Sequence, residues 1–481
     1  MSVARSMAWS LGGQGVTLLF SMAGTVVLAR VLTPAETGAF AFSVAMFALV
    51  QSLLQFGMGN YILRAEKLTP SLSSAATTLA ILQGGLASLL MAVAAPVAGF
   101  ISGDIQIFWL TLLIAVAPIF SGPEAVCGAL WARSGRFGMI AGLGASKAIV
   151  QAVVSVAAAM AGWGAFALTA GLVASAMFSS GWSSYQIFLK DGIRLGLDRE
   201  EWRLLKNYSV SSMLLTITVT LNGRLPELFI GRMFTIASLG QFSRAGGTID
   251  MLQKSASYPT ARVFVPRMLN AMNNGESVDK SVGEIRDAFL FTMWPALAGL
   301  AVLSEPLTLL FYGDQWQLAG RVLLLLCLAC ALEVSRSGFT EVMLFRDKLP
   351  LNNKVEAGRL TISLVLLLLT WPFGFMAVIW SRVAAAALGC LLYGWMLHRT
   401  ENIPLFRYAR NYCIHGYFAL AACLPAILWM SAEGWPRRLP FGEILLVVVA
   451  GVLTWSLTLL AAGHPAAQTV KRVLRRRWGW I

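Results

Sequence analysis

Fourteen mostly apolar stretches follow one another along the chain, at roughly 8–29, 38–62, 72–99, 106–130, 138–161, 164–189, 207–231, 239–265, 287–310, 321–344, 351–373, 375–397, 411–431 and 441–461. Each is near or above the roughly 20 residues that cross a bilayer as a helix. The eighth is the least apolar. Only 12% of the residues are charged, against about 25% in soluble domains. The pattern predicts an all-α polytopic membrane protein of about 14 transmembrane helices.

The breaks between the stretches alternate in charge. If the N-terminus is inside, segments 1–7, 63–71, 131–137, 190–206, 266–286, 345–360, 398–410 and 462–481 face the cytoplasm. They or their edges hold about 25 of the 37 Lys and Arg. The outside turns hold about five: Arg30, Arg232, Arg321, Arg437 and Arg438. This asymmetry predicts cytoplasmic N- and C-termini. It also accounts for a net charge of +14 without nucleic acid as a partner. The basic stretch Lys471–Trp478 reads as a cytoplasmic tail resting on anionic headgroups, or as the last positive-inside signal.

Leu28-Ala29-Arg30-Val31-Leu32-Thr33-Pro34 through Gly38-Ala39-Phe40 joins the first two apolar runs. A weaker copy runs from Ile230 to Phe242, with Arg232, Thr235, Gly240 and Phe242 at the same offsets. Such a repeat predicts a duplicated architecture. Six spans form an N-lobe at 1–189 and a linker follows at 190–206. Six more spans form a C-lobe at 207–400, and spans 13 and 14 with the basic tail occupy 401–481. An even number of spans per repeat gives both lobes one orientation, related by a pseudo-two-fold axis along the membrane normal. Within the linker, Asp198–Lys206 reads as an amphipathic helix lying at the inner surface.

Charge inside a span is costly unless it faces protein or water, so each instance is a functional candidate. The first lobe holds two, Glu124 and Lys147. The second holds many: Asn222, Arg224 and Glu227 in the seventh span, Arg244, Asp250, Lys254 and Arg262 in the eighth, Glu333, Arg336 and Glu341 in the tenth, and Arg382 in the twelfth. Arg224/Glu227, Glu333/Arg336 and Asp250/Lys254 have the spacing of intrahelical ion pairs. They are either structural pairs or part of a site. Arg244, Arg262 and Arg382 have no acid at helical spacing within their own spans. They need a partner from another span, water, or an anionic substrate, and a guanidinium fork suits phosphate. The set predicts a water-filled, net-cationic cavity between the two lobes, lined by Arg224, Glu227, Arg244, Asp250, Lys254, Arg262, Arg336, Arg382, Lys147 and Glu124.

The sequence carries no D-x-D pair for a metal and a sugar nucleotide, and no Walker A loop for ATP phosphates. The outside loops are too short for an extracytoplasmic catalytic site. No enzyme activity, metal or cofactor is therefore expected. Cys327 and Cys330 form a C-x-x-C within Leu-rich chain, and the six cysteines read as small apolar residues on helices. The first apolar run is too long for a cleaved leader and reads as a retained first span.

Trp9, Gln14 and Gly15, followed by the Leu28–Phe40 pattern, resemble the polysaccharide transporter, or oligosaccharide flippase, family of the multidrug/oligosaccharidyl-lipid/polysaccharide exporter superfamily. Phe56-Gly57-Met58-Gly59, Ser134-Gly135-Arg136-Phe137, Gly162-Trp163-Gly164, Leu239-Gly240-Gln241-Phe242-Ser243 and Phe311-Tyr312-Gly313-Asp314-Gln315-Trp316 agree in order and spacing. The resemblance implies a bacterial inner-membrane protein of surface-polysaccharide biosynthesis (O-antigen, capsule or exopolysaccharide). It would flip undecaprenyl-diphosphate-linked oligosaccharide from the cytoplasmic to the periplasmic leaflet by alternating access. Its partners would be that substrate, membrane lipids, and polysaccharide polymerase and chain-length proteins. The competing readings are a cation-coupled drug antiporter of the same superfamily, for which Glu124 is the one first-lobe carboxylate, and a polytopic polymerase or ligase.

Overall fold

The computed structural model describes residues 3–54, 62, 69–196, 199–275, 277–346, 348–401 and 405–461. Among these every regular element is helical. The Phe56–Gly59 motif and the basic tail lie outside the described residues. The first helices are α1 (Val3–Val31), α2 (Pro34–Leu53) and α3 (Pro70–Ser102). They are followed by α4 (Ile105–Ile114), α5 (Ser121–Arg133), α6 (Phe137–Met160) and α7 (Ala165–Ser184). Next come α8 (Arg199–Met233), α9 (Ile236–Asn273), α10 (Val278–Val302), α11 (Ser304–Tyr312), α12 (Gln317–Val334) and α13 (Phe339–Phe345). The chain closes with α14 (Leu349–Thr370), α15 (Phe375–Glu401), α16 (Leu405–Ala432) and α17 (Phe441–Ala461).

Twelve helical stretches among the described residues are long and apolar enough to cross a membrane. The expected seventh and eighth spans fall short in apolarity, not in length. They lie in α8 and α9, of 35 and 38 residues, and their intramembrane charges lower their hydropathy. Other spans are broken, the ninth at Leu303 between α10 and α11. The fourth is interrupted by a 3-10 turn at Ala117–Phe120, where Pro118 removes a backbone donor. The tenth is interrupted between Val334 and Phe339. There Gly338 adopts φ +88°, and a Cβ on it would lie 2.5 Å from Ile285 Cγ2. The interfacial helix expected within the linker is not a separate element. Arg199 opens α8, which runs unbroken to Met233, because no Gly or Pro interrupts the chain before Gly223.

The repeat has a local structural role. Thr33 N-caps α2 in a capping box: Glu36 N donates to Thr33 Oγ1 at 3.3 Å, and Thr33 N donates to Glu36 Oε2 at 2.8 Å. Pro34 occupies the first helical turn, where a missing N–H goes unnoticed. Thr235 repeats the device before α9, accepting from Ser238 N at 3.1 Å. The two caps then dock on each other. A methyl group on Gly38 would overlap the carbonyl oxygen of Ile236, and one on Gly240 would overlap that of Pro34. Both positions require glycine, because the helix backbones touch there. Arg30 and Arg232 sit in the last turns of α1 and α8, where a cation opposes the C-terminal dipole.

The helices group into two compact units. The first is Met1–Arg244 with Pro350–Trp371, and the second is Ala245–Leu349 with Pro372–Ile481. In the first unit α1 packs along α6, α6 along α7, α3 against α4 and α5, and α2 against α4 and α8. Val126, Trp131, Leu143 and Ile187 form part of its core. In the second unit α10 packs against α12 and α16, α12 against α15, and α16 against α17. Large apolar side chains such as Phe100 (86% exposed) and Leu391 (69% exposed) remain on the surface. So much exposed apolar area would be a liability in water and is the expected face toward lipid.

Candidate functional site

In the first unit, tertiary packing joins charges that lie far apart in sequence. Glu124, in the first turn of α5, reaches Lys147 on α6 at 2.7 Å, and Ser179 on α7 donates to the same carboxylate at 2.6 Å. Three helices thus meet on one carboxylate. The two charged side chains are each about a third exposed (30% and 34%), while Ser179 is fully buried. On α8, Arg224 and Glu227 form the pair their spacing predicts, at 2.9 Å. Arg244 is 9% exposed and takes its partners from other spans. Its Nη1 reaches the Thr25 carbonyl at 3.5 Å and its Nη2 reaches Thr37 Oγ1 at 3.4 Å. These are long contacts to the end of α1 and the start of α2, close to the repeat contact.

The sequence reading missed a further buried pair. Residues 345–360 were counted with the inside segments, overlapping the stretch expected at 351–373, and Leu349–Thr370 is helical. Glu356 and Arg359 lie on it at 2% and 8% exposure, paired at 2.8 Å. Asn352 is fully buried, and neither of its side-chain polar atoms has a hydrogen-bond partner among the described residues. The spacing 352, 356, 359, 363 is that of one helical face. It was a usable signal, hidden because Lys354, Glu356 and Arg359 together lower the local hydropathy.

In the second unit, Asp250 and Lys254 are exposed on α9, and Arg382 is partly exposed on α15. The Arg262 side chain lies outside the described residues. Arg336 follows the end of α12. Its Nη1 donates to Tyr393 Oη at 3.2 Å, and its guanidinium lies 5.1 Å from the centre of that ring. Arg286, expected in an inside loop, is 4% exposed on α10. It pairs with Asp287 at 3.8 Å and lies over the Tyr412 ring at 6.0 Å. Asp287 is also met by His415 Nε2 at 3.4 Å and Asn411 Nδ2 at 3.2 Å. Fixed cations, hydroxyls and aromatic faces in this arrangement can bind anions and sugars.

Residues 27–320, more than half of the chain, match the family model described as polysaccharide biosynthesis protein. The chain is 22% identical over 422 residues to the succinoglycan biosynthesis transport protein ExoT of Rhizobium meliloti (strain 1021), an alignment covering 84% of this chain and 82% of that protein. Among solved structures it is similar to the lipid II flippase MurJ in an inward closed conformation, with a TM-score of 0.75 and 12% identity over 94% of this chain and 97% of that one. It is also similar to an inward-facing multidrug resistance MATE family transporter of the MOP superfamily, with a TM-score of 0.57 and 13% identity over 80% and 95%. At these identities the structural likeness is one of fold.

Proposed function

The chain belongs to a family of polysaccharide biosynthesis proteins, and from that premise we propose that it flips undecaprenyl-diphosphate-linked oligosaccharide across the inner membrane by alternating access. The fold, an all-helical polytopic one like those of MurJ and the MATE transporters, suits that task. The observation that carries the reading is the family match over residues 27–320. It is joined by a fold likeness to the lipid II flippase MurJ over 94% of this chain. The intramembrane cations are the proposed contacts to the diphosphate and to acidic sugars, chiefly Arg224, Arg244, Arg262, Arg336, Arg382, Lys147 and Lys254. Glu124, Glu227 and Asp250 balance or orient them. Guanidinium forks suit phosphate oxygens, and burial strengthens each contact.

The alternative of a cation-coupled drug antiporter relied on Glu124 as the first-lobe carboxylate. That carboxylate is already held by Lys147 and Ser179, which favours the flippase reading. Complementation of a flippase-deficient strain tests it. Wild type should restore export and clear lipid-linked oligosaccharide from the inner leaflet. Arg382→Ala should abolish export at unchanged protein level. Arg244→Ala should do the same but with some loss of stability, since Arg244 also bridges α9 to α1 and α2. Normal export by Arg382→Ala would remove that residue from the proposed site. The proposed orientation predicts that a membrane-impermeant maleimide added from the periplasm labels a cysteine placed at Trp435 and not one at Glu200. The reverse pattern would invert the topology.

A further inference from the structure

Two arginines of the second unit converge on one cavity. Arg286 and Arg336 line a space of about 310 Å³ together with Ser335, Tyr393, Tyr412 and Cys390. That volume lies at the small end of the ~300–1,000 Å³ usual for small-molecule sites, and it suits a headgroup better than a glycan. The cavity sits at one end of the helices. Arg286 is on the third turn of α10, Tyr412 is on the third turn of α16, and Cys390 and Tyr393 are in the last three turns of α15. Ser335 and Arg336 belong to the break between α12 and α13. Irregular backbone at membrane depth is tolerated where it lines a cavity, and this break does so.

The same end carries Arg346 and Lys348, both bound to Glu401 at 3.3 and 3.5 Å, and Arg399 stacked on Trp395 at 5.0 Å. It is the end that the positive-inside pattern assigns to the cytoplasm. One wall of the cavity is Leu391, an apolar side chain that is 69% exposed, as a side chain facing acyl chains would be. A nearby carboxylate, Asp287, is 39% exposed and shared among Arg286, His415 and Asn411.

We propose that this cavity holds the phosphate of an anionic phospholipid of the inner leaflet, entering past Leu391. Arg286 and Arg336 would contact the phosphate oxygens, and the Tyr393 hydroxyl would complete the donor set. The choice of leaflet rests on the orientation proposed above. The phosphate chemistry does not, and it assigns Arg336, one of the proposed substrate contacts, to the phospholipid instead.

Cys390 gives a readout in the wild-type full chain. The protein is placed in phosphatidylcholine nanodiscs, either plain, with phosphatidylglycerol, or with inorganic phosphate. Alkylation of Cys390 by N-ethylmaleimide is followed by peptide mass spectrometry, with the exposed Cys413 as internal control. Phosphatidylglycerol should slow Cys390 about tenfold, the effect of one contact of about 1.4 kcal/mol, and leave Cys413 unchanged. Arg336→Gln should remove the protection, and Arg336→Lys should restore part of it, at an unaltered Cys413 rate. Equal Cys390 rates in all three conditions would overturn the proposal. Protection by inorganic phosphate alone would overturn the lipid assignment.

Discussion

The two units treat buried charge differently. In the first, charge closes on itself: Glu124 with Lys147 and Ser179, Arg224 with Glu227, and Glu356 with Arg359, all within 3.0 Å. In the second, Arg286 and Arg336 border an open cavity and lean on aromatic rings. Closed pairs fix helix positions, and removing one partner strands a charge away from water. Cations on a cavity wall keep contact capacity for an anion. The contrast separates charges closed into pairs from charges on a cavity wall, a distinction that a count of intramembrane charges along the sequence does not make.

The strongest test strikes the most buried pair. Arg359→Met or Glu356→Leu alone should cost about 3–5 kcal/mol, as for other broken buried pairs. The double variant should recover most of that loss, because it removes both charges. Thermal unfolding of the purified protein in detergent measures this, and single variants that melt like wild type would refute the closed-pair account of the first unit. Glu124→Gln should cost less, about 1–2 kcal/mol, because its partners are one-third exposed. The charge swap Glu124→Lys with Lys147→Glu should restore stability. If the swapped protein is stable but fails to export, the pair belongs to the transport path as well as to the scaffold. The smallest effect should come from Arg336→Gln, which should shift stability by less than about 1 kcal/mol. A loss as large as that of the Glu356 variant would erase the contrast between the units.

Much of the fold could be read from the chain. Apolar run lengths fixed the helical, membrane-spanning class, because lipid tolerates few other backbone solutions. Spacing alone predicted Arg224–Glu227, since three residues is a local distance on a helix. The repeat put Thr33 and Thr235 at matching offsets, and in the structure each caps a helix start, because caps are local chemistry. Other features were hidden. Glu356 and Arg359 were left out of the intramembrane charges because the inside segment 345–360 overlaps the eleventh stretch at 351–373, and hydropathy takes no account of which face each residue occupies. Glu124 and Lys147 gave no hint of their union across 23 positions, since periodicity says which face a residue shares but not which helix that face meets.

The residues alone thus determined the class of protein and where the duplicated segments lie, both of which follow from short-range backbone and solvation physics. The tertiary structure alone decided that the two repeat copies meet at Gly38 and Gly240, that one carboxylate ties three helices together, and that Arg286 and Arg336 share a cavity wall. Each of these depends on the choice of neighbouring helix. That choice is set by close packing of small residues and by the need to satisfy every polar group away from water, and neither can be evaluated one span at a time.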